Sequence, residues 1–136
     1  MSRRPTRLVI DASIAGKGSQ LCREFLHCVL NSDCHIAMTS ELTREWNRHE
    51  TKYSLIWRKS MTARKRVLWL ADAPNDALRK QMSTSDMLKD AHLLEAALVT
   101  DKRIASNDER ARSDFRGIPL VRLVLWINPA IPDENA

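Results

Sequence analysis

Four carboxylates occupy positions from which they can reach one common site. Asp11 and Asp108 each directly follow a short apolar run that is typical of a buried strand, and Glu45 and Asp90 each lie within the first two turns of a predicted helix. Carboxylates brought together in this way repel one another unless a cation is bound. Hard oxygen ligands suit Mg²⁺ or Mn²⁺, so the pattern predicts a divalent-metal site.

Each acid also has a simpler interpretation. An Asp at a strand end, such as Asp11, is often only a turn former. Glu41 lies one turn before Glu45 on nearly the same helix face and is a substitute for it as a ligand. Asp86 is interpreted as a first-turn helix acid that complements the helix dipole, and Asp101 as a charge at a helix end. The combination of the four acids, rather than any one of them, favours a site.

Other chemistries fit the sequence less well. The segment Gly16-Lys17-Gly18-Ser19 resembles part of a phosphate loop, but Asp11 stands where that motif needs its first glycine. Leu21 replaces the third glycine of a dinucleotide-binding loop. No Ser-His-Asp set is evident, and the histidines lack metal-ligand spacing; they are His27, His35, His49 and His92.

The elements that must position the acids alternate along the chain. Apolar runs predict strands over residues 7–10, 35–39, 103–106 and 118–126. Helical spacing, with Ser19 and Ser40 as N-caps, predicts helices over residues 20–30, 84–99 and 109–115, and helical structure from residue 40 to about 71 with a break at 59–62. This alternation predicts an α/β fold with a short central parallel sheet and helices on both faces.

Length and composition agree with one folded domain. The chain has 136 residues, of which 43% are hydrophobic and 29% charged, which excludes a wholly disordered protein. We expect one domain over residues 1–127 and a C-terminal tail over residues 128–136. No signal peptide and no apolar stretch of about 20 residues is recognisable, so a cytoplasmic protein without a membrane segment is expected. Unpaired Cys22, Cys28 and Cys34 are expected to be buried or half-buried reduced thiols.

Positive charge is concentrated in one part of the sequence. The net charge is +5, and the basic excess lies in residues 44–80, where a nucleic-acid partner could bind. The tryptophans there, Trp46, Trp57 and Trp69, either stack on bases or face the core, and the core is favoured. The predicted RNA-binding residues are Arg58, Lys59, Arg64, Lys65 and Arg66.

Four blocks of the sequence, taken in order, resemble a PIN domain, a metal-dependent ribonuclease family that includes the toxins of many toxin–antitoxin pairs. The first three are Leu8-Val9-Ile10-Asp11-Ala12-Ser13, Ser40 with Glu41 and Glu45, and Asp90-Ala91-His92-Leu93-Leu94-Glu95-Ala96-Ala97-Leu98. The last, Ile104-Ala105-Ser106-Asn107-Asp108, is similar to the family's strand ending in Thr/Ser-x-Asp. The resemblance covers residues 7–121.

The resemblance implies a single PIN-like domain and an endoribonuclease. It implies that Asp11, Glu45, Asp90 and Asp108 bind one or two Mg²⁺ or Mn²⁺ ions and form the catalytic site, with the hydroxyls of Ser13 and Ser106 in support. RNA is the implied substrate, with an antitoxin protein and a second copy of the chain as further expected partners. The alternative is a PIN-fold module that binds nucleic acid or protein without cleaving. A 5′ nuclease acting on structured DNA needs helical elements for which 136 residues leave little room.

Overall fold

The structure, a computed structural model of the full chain, describes residues 4–129. Its strands are β1 (Arg7–Ile10), β2 (His35–Met38), β3 (Val67–Trp69), β4 (Arg103–Ala105) and β5 (Leu125–Ile127). Its α-helices are α1 (Ala12–Lys17), α2 (Gln20–Leu30), α3 (Ser40–His49), α4 (Lys52–Ala63), α5 (Asp76–Arg79), α6 (Ser85–Leu98) and α7 (Glu109–Phe115). A 3₁₀ helix, Pro119–Leu123, precedes β5.

The five strands form one parallel sheet in the order β3-β2-β1-β4-β5. The predicted α/β class is therefore confirmed. Because crossovers between parallel strands are right-handed, α1–α4 pack on one face of the sheet and α6 and α7 on the other. The chain changes direction across the sheet between β1 and β4, which pair through Val9 and Ile104. In such sheets a binding crevice opens outside the carboxyl ends of the two strands at this point.

The core fills both sides of the central strand β1. Val9 and Ile10 are fully buried, and α6 is buried almost all round in its second half. Trp46 and Trp57 are also buried, and their rings stack with centroids 5.9 Å apart. These two tryptophans therefore face the core, as the favoured interpretation predicted. Trp69, in contrast, is 58% exposed on β3.

The region between residues 40 and 71 differs from the prediction in three ways. The N-cap of α3 is Thr39, whose hydroxyl accepts a hydrogen bond from Leu42 N, and not Ser40. The helical break lies at residues 50–51, where Thr51 and Ser54 form a capping box that begins α4, and not at residues 59–62. The third difference is β3, which the sequence did not reveal because it is only three residues long and follows a basic run.

The predicted strand over residues 118–126 is also wrong in its first half. Pro119 begins the 3₁₀ helix, because proline has no N–H to donate to a neighbouring strand. Only Leu125–Ile127 pairs with β4. Of the predicted tail, Asn128 is buried and its Nδ2 donates to Glu109, while residues 130–136 lie outside the described residues.

Two of the three cysteines are as expected. Cys22 is buried and Cys34, just before β2, is half-buried, but Cys28 is exposed because it lies on the outer face of α2. Between residues 4 and 129, no helix combines the length and the apolar character needed to cross a membrane.

Candidate functional site

A crevice of about 440 Å³ lies at the carboxyl ends of β1 and β4. Asp11 reaches it from the end of β1, Asp108 from the loop after β4, Glu45 from α3 and Asp90 from α6. The four acids that are far apart in sequence therefore line one crevice. Its further lining residues are Ala12, Ser13, Gly16, Lys17, His49, Asp86, Lys89 and Arg110.

Asp11 is held by two hydroxyl groups. Its Oδ2 accepts hydrogen bonds from Ser13 Oγ at 2.9 Å and from Ser106 Oγ at 2.7 Å. Its backbone N–H donates to Ala105 O at 2.8 Å, which continues the pairing of β1 with β4. Oδ1 has no hydrogen-bond partner within residues 4–129. One carboxylate oxygen is thus fixed by the protein, and the other is available to a ligand.

The two serines also order the loop that carries Asp108. Ser106 Oγ accepts from Asp108 N at 3.0 Å, and Ser13 Oγ accepts from Asn107 N at 3.0 Å. Asp108 is the N-cap of α7, because its Oδ1 accepts from Ala111 N at 2.9 Å. Ser106 is fully buried. Both serines therefore position Asp11 and the loop that carries Asp108.

The surroundings of Asp90 disfavour its ionised form. Its side chain is 21% exposed. Burial, followed by repulsion from Asp11 and Asp108, raises the pKa of Asp90 from 3.8 to about 6, and Arg110 and Lys89 oppose the rise. Positive charge placed next to such a carboxylate stabilises its ionised form.

The structure separates Glu45 from Glu41. Glu45 lines the acid crevice and lies 3.9 Å from both Arg48 and His49. Glu41 instead lines a neighbouring cavity of about 250 Å³ beside Arg79. One helical turn is enough to place the two acids in different cavities. Glu45 is thus the one that lies with Asp11, Asp90 and Asp108.

That neighbouring cavity contains charges that are already paired. Glu95 accepts two hydrogen bonds from the Arg79 guanidinium, at 2.7 and 2.8 Å, and one from Asn75 N. Burial opposes the ionisation of Glu95, but the bonds from Arg79 and Asn75 outweigh it and hold its pKa below its ordinary value. His92 is buried at this cavity and does not line the acid crevice.

The backbone brings α3 close to α1 at Gly16. A Cβ at this position would lie 2.8 Å from His49 O, so a larger residue would push the helix that carries Glu45. Ser54 Oγ and Thr51 N both donate to Ala15 O, at 2.9 and 3.3 Å, and tie the same junction to α1. The glycine thus permits a close approach, although its Gly-Lys-Gly-Ser context does not form a phosphate loop.

Arg110 lines the crevice, and the sequence analysis did not single it out. Its guanidinium lies 3.9 Å from Asp90, 3.8 Å from Asp108, 3.4 Å from Asp86 and 3.2 Å from Asp114. Lys17, Lys89 and Asp86 at the crevice were likewise not singled out as site residues. Helical spacing was the available signal, because Asp86 and Lys89 share the face of α6 with Asp90.

The five predicted RNA-binding residues do not line the crevice. Arg64, Lys65 and Arg66 directly precede β3 and therefore lie at the amino end of the sheet, opposite the acids. Arg66 donates to three carbonyl oxygens, those of Val29, Leu30 and Cys34, and so holds the end of α2. Arg58 donates to Glu50 and Asn47, both at 2.7 Å, and Arg64 donates to Leu30 O at 3.5 Å. Three of the five residues thus already have partners within the chain. Lys59, Arg64 and Lys65 are exposed.

Asp101 is confirmed as a helix-end charge, in ion pairs with Arg4 and Arg7.

The donor types at the crevice match those that divalent cations prefer, and an arginine already approaches two of the four acids. Across residues 4–129, no three His, Cys, Asp or Glu side chains stand close enough together to hold a metal ion as they are placed. No protein-family model matches the chain, and no curated protein matches it significantly.

Proposed function

We propose that this protein is a metal-dependent endoribonuclease that hydrolyses RNA phosphodiesters, with Mg²⁺ or Mn²⁺ as its cofactor. The observation that carries the proposal is that Asp11, Glu45, Asp90 and Asp108 line one crevice at the carboxyl ends of β1 and β4. Burial and the neighbouring acids Asp11 and Asp108 raise the pKa of Asp90 there. Perturbed carboxylates of this kind cluster at functional sites, and a bound cation would offset the repulsion between the acids.

The residue types at the crevice suit a divalent ion. All four proposed ligands are carboxylates, the hard donors that Mg²⁺ and Mn²⁺ prefer. Five carboxylates, with Asp86 included, outnumber the three basic side chains Lys17, Lys89 and Arg110 at the crevice. When bound, the ion would supply a Lewis acid that activates water and neutralises charge on the phosphate.

The chain's own residues would hold and orient the reactants. Ser13 and Ser106 fix Asp11 through one carboxylate oxygen, so that the other faces a ligand in a set direction. Asp90, with a pKa of about 6, is mainly ionised at neutral pH and becomes protonated in mild acid. Lys17, Lys89 and Arg110 can contact phosphate oxygens of a strand that enters the crevice. No side chain needs to act as a nucleophile in this scheme.

The resemblance to PIN domains supports the same proposal. It adds that the ribonuclease acts as the toxin of a toxin–antitoxin pair, inhibited by an antitoxin protein, and that two copies of the chain associate. The sheet order and the convergence of the four motif acids support the family assignment. The partners rest on the resemblance alone.

A cleavage assay tests the proposal directly. Labelled single-stranded RNA is incubated with the purified protein in Mg²⁺, in Mn²⁺ and in chelator, and products are resolved on a denaturing gel. We expect cleavage with either metal and none with chelator. Asp11→Asn and Asp108→Asn, purified identically, should be inactive, which excludes a contaminating nuclease.

The same assay decides against the alternative. A wild-type protein that binds RNA but gives no metal-dependent products would be a non-catalytic binding module. Cleavage that persists at wild-type rate in both Asn variants would show that the crevice is not the active site.

A further inference from the structure

A second basic surface lies on the other side of α7 from the acid crevice. It is a cavity of about 240 Å³ between α7, the 3₁₀ helix and β5. Arg112 and Arg116 reach it from α7, Arg122 reaches it from the 3₁₀ helix, and Trp126 and aliphatic side chains complete the lining. We call this surface the arginine cleft.

The arginine cleft presents donors without matching acceptors. Its lining includes no carboxylate from residues 4–129. Arg112 has one ion pair there, with Glu109 at 3.6 Å, and the described chain supplies none to Arg116 or Arg122. Arg116 and Arg122 are exposed. Guanidinium groups without carboxylate partners are the features of a surface that binds anions.

Helix α7 joins the arginine cleft to the acid crevice. Ala111 and Phe115 are buried and mark the face of α7 that packs on the core. Arg110 leaves the helix on one side of this buried face and lines the crevice, whereas Arg112 leaves on the other side and lines the cleft. A helix is about 10–12 Å wide with its side chains, so a strand that leaves the crevice over α7 reaches the cleft after a short crossing.

We propose that the arginine cleft binds the phosphodiester backbone of the RNA strand beyond the crevice, on the far side of α7. This inference rests on the proposed function, since it assigns the path of that enzyme's substrate. Arginine suits the role because its planar guanidinium can form two parallel hydrogen bonds to a phosphate. An acidic polypeptide would satisfy the same charges, but RNA is favoured because one helix links the cleft to the crevice. The basic run before β3 lies at the other edge of the sheet from β5 and shares no helix with the crevice, so it offers no such continuity.

Two matched triple variants test the path. One combines Arg112→Ala, Arg116→Ala and Arg122→Ala; the control combines Arg23→Ala, Lys102→Ala and Arg103→Ala, which removes the same charge from exposed positions that line neither the crevice nor the cleft. Fluorescence anisotropy, in chelator, measures the affinity for single-stranded RNA of about four and about twelve nucleotides at several salt concentrations. Circular dichroism checks that both variants fold.

We expect the cleft variant to bind the longer RNA at least about tenfold more weakly than wild type at moderate salt, and its log–log salt slope to flatten by about 2, which is about 0.7 for each of three lost contacts. The shorter RNA, which fits within the crevice, should bind both variants and wild type alike. The control variant should keep the wild-type slope with both lengths.

Three outcomes would overturn the inference. The first is an unchanged salt slope in the cleft variant, and the second is an equal loss in both variants, which would show only a nonspecific effect of charge. The third is unchanged RNA binding together with lost binding of a poly-glutamate peptide, which would assign the cleft to an acidic protein. If wild type fails to cleave RNA while the cleft variant loses RNA affinity, the enzyme proposal fails and the path remains.

Discussion

Acidic residues at the two ends of the sheet have opposite electrostatic surroundings. At the amino end, Asp101 accepts hydrogen bonds from Arg7 N and from the guanidinium groups of Arg4 and Arg7. The bonds from Arg7 outweigh burial and hold the pKa of Asp101 below its ordinary value. At the carboxyl end, burial and neighbouring carboxylates raise the pKa of Asp90 to about 6. The acid at the amino end is paired with arginines, whereas the acids at the carboxyl end lie near one another and repel.

The difference separates stability from function. Arg66 and Asp101 bind groups of the chain itself and fasten the end of α2, the start of β1 and the end of α6. The crevice acids repel one another, and removing that repulsion would stabilise the apoprotein. A site that costs stability and lies where the strand order reverses, between β1 and β4, has the properties of a binding site.

Asp90→Asn and Asp101→Asn should give opposite results, and this pair carries the largest expected effect. Asp90→Asn should lower the cleavage rate by more than about a hundredfold, because it removes a ligand charge from the proposed metal site. Asp101→Asn should cleave at the wild-type rate, since Asp101 lies at the other end of the sheet. Initial rates on labelled RNA at saturating Mg²⁺ measure both.

The Asp90 prediction would be contradicted by a variant with wild-type turnover. Cleavage restored by higher Mg²⁺ would instead locate the loss in metal affinity. A folded Asp101→Asn variant that is inactive would break the division between the two ends.

Glu45→Gln and Glu41→Gln sharpen the same comparison within one helix. Glu45 lines the crevice, whereas Glu41 lines the cavity in which Arg79 and Glu95 are paired. We expect Glu45→Gln to lose at least about tenfold in cleavage rate and Glu41→Gln to lose little. Rates measured over a series of Mn²⁺ concentrations check this. A larger loss for Glu41→Gln would assign the second acid to that position.

The sequence predicted the fold class and the convergence of the four acids because both depend on local signals. Apolar runs and caps determine β1, α2 and α7, whose bounds match the prediction closely. Alternating strands and helices require a parallel sheet, and Asp11 and Asp108 must then lie at its carboxyl edge. Once α3 and α6 start at that edge, Glu45 and Asp90 follow.

The rest depends on contacts that a linear pattern does not contain. The three-residue β3 is stabilised by its pairing with β2 rather than by its own sequence, so it was read as helix. The position of that strand then places Arg64–Arg66 at the wrong end of the sheet for the crevice. Arg110 is recognisable as a crevice residue only when α7 is packed beside α6.

The stability of the two ends should respond to pH in opposite directions. Folding raises the pKa of Asp90 from 3.8 to about 6, so between these values the folded chain keeps a proton that the unfolded chain releases. Its contribution to the free energy of unfolding therefore falls as pH rises through this window, and the full cost is present above it. Asp101 has a lowered pKa, so its stabilisation is present above 3.8 and is lost as pH falls through its folded pKa.

Urea unfolding in chelator, from about pH 3 to pH 8, measures these contributions. The free energy of unfolding of Asp90→Asn should exceed that of wild type by about 1–3 kcal/mol near neutral pH and by little near pH 4. Asp101→Asn should be less stable than wild type near neutral pH, with a difference that shrinks in acid. A gain in Asp90→Asn that does not grow with pH would show that Asp90 is not strained.

Arg110→Ala is expected to have the smallest effect. It tests whether the crevice acids bind a divalent ion. The Arg110 guanidinium lies within 3.9 Å of both Asp90 and Asp108 and neutralises part of their negative charge. Since a divalent ion would supply the same charge, the arginine and the ion compete. We expect Arg110→Ala to bind Mn²⁺ severalfold more tightly than wild type, by isothermal titration without RNA.

Arg112→Ala is the matched control, because Arg112 lies two residues along α7 on the other side and pairs only with Glu109 among residues 4–129. It should leave Mn²⁺ affinity unchanged. The competition also requires that Mn²⁺ raise the melting temperature of Arg110→Ala more than that of wild type, since ligand stabilisation grows with affinity. Weaker Mn²⁺ binding in Arg110→Ala would mean instead that the arginine holds the carboxylates in place for the ion, so that its charge assists the site.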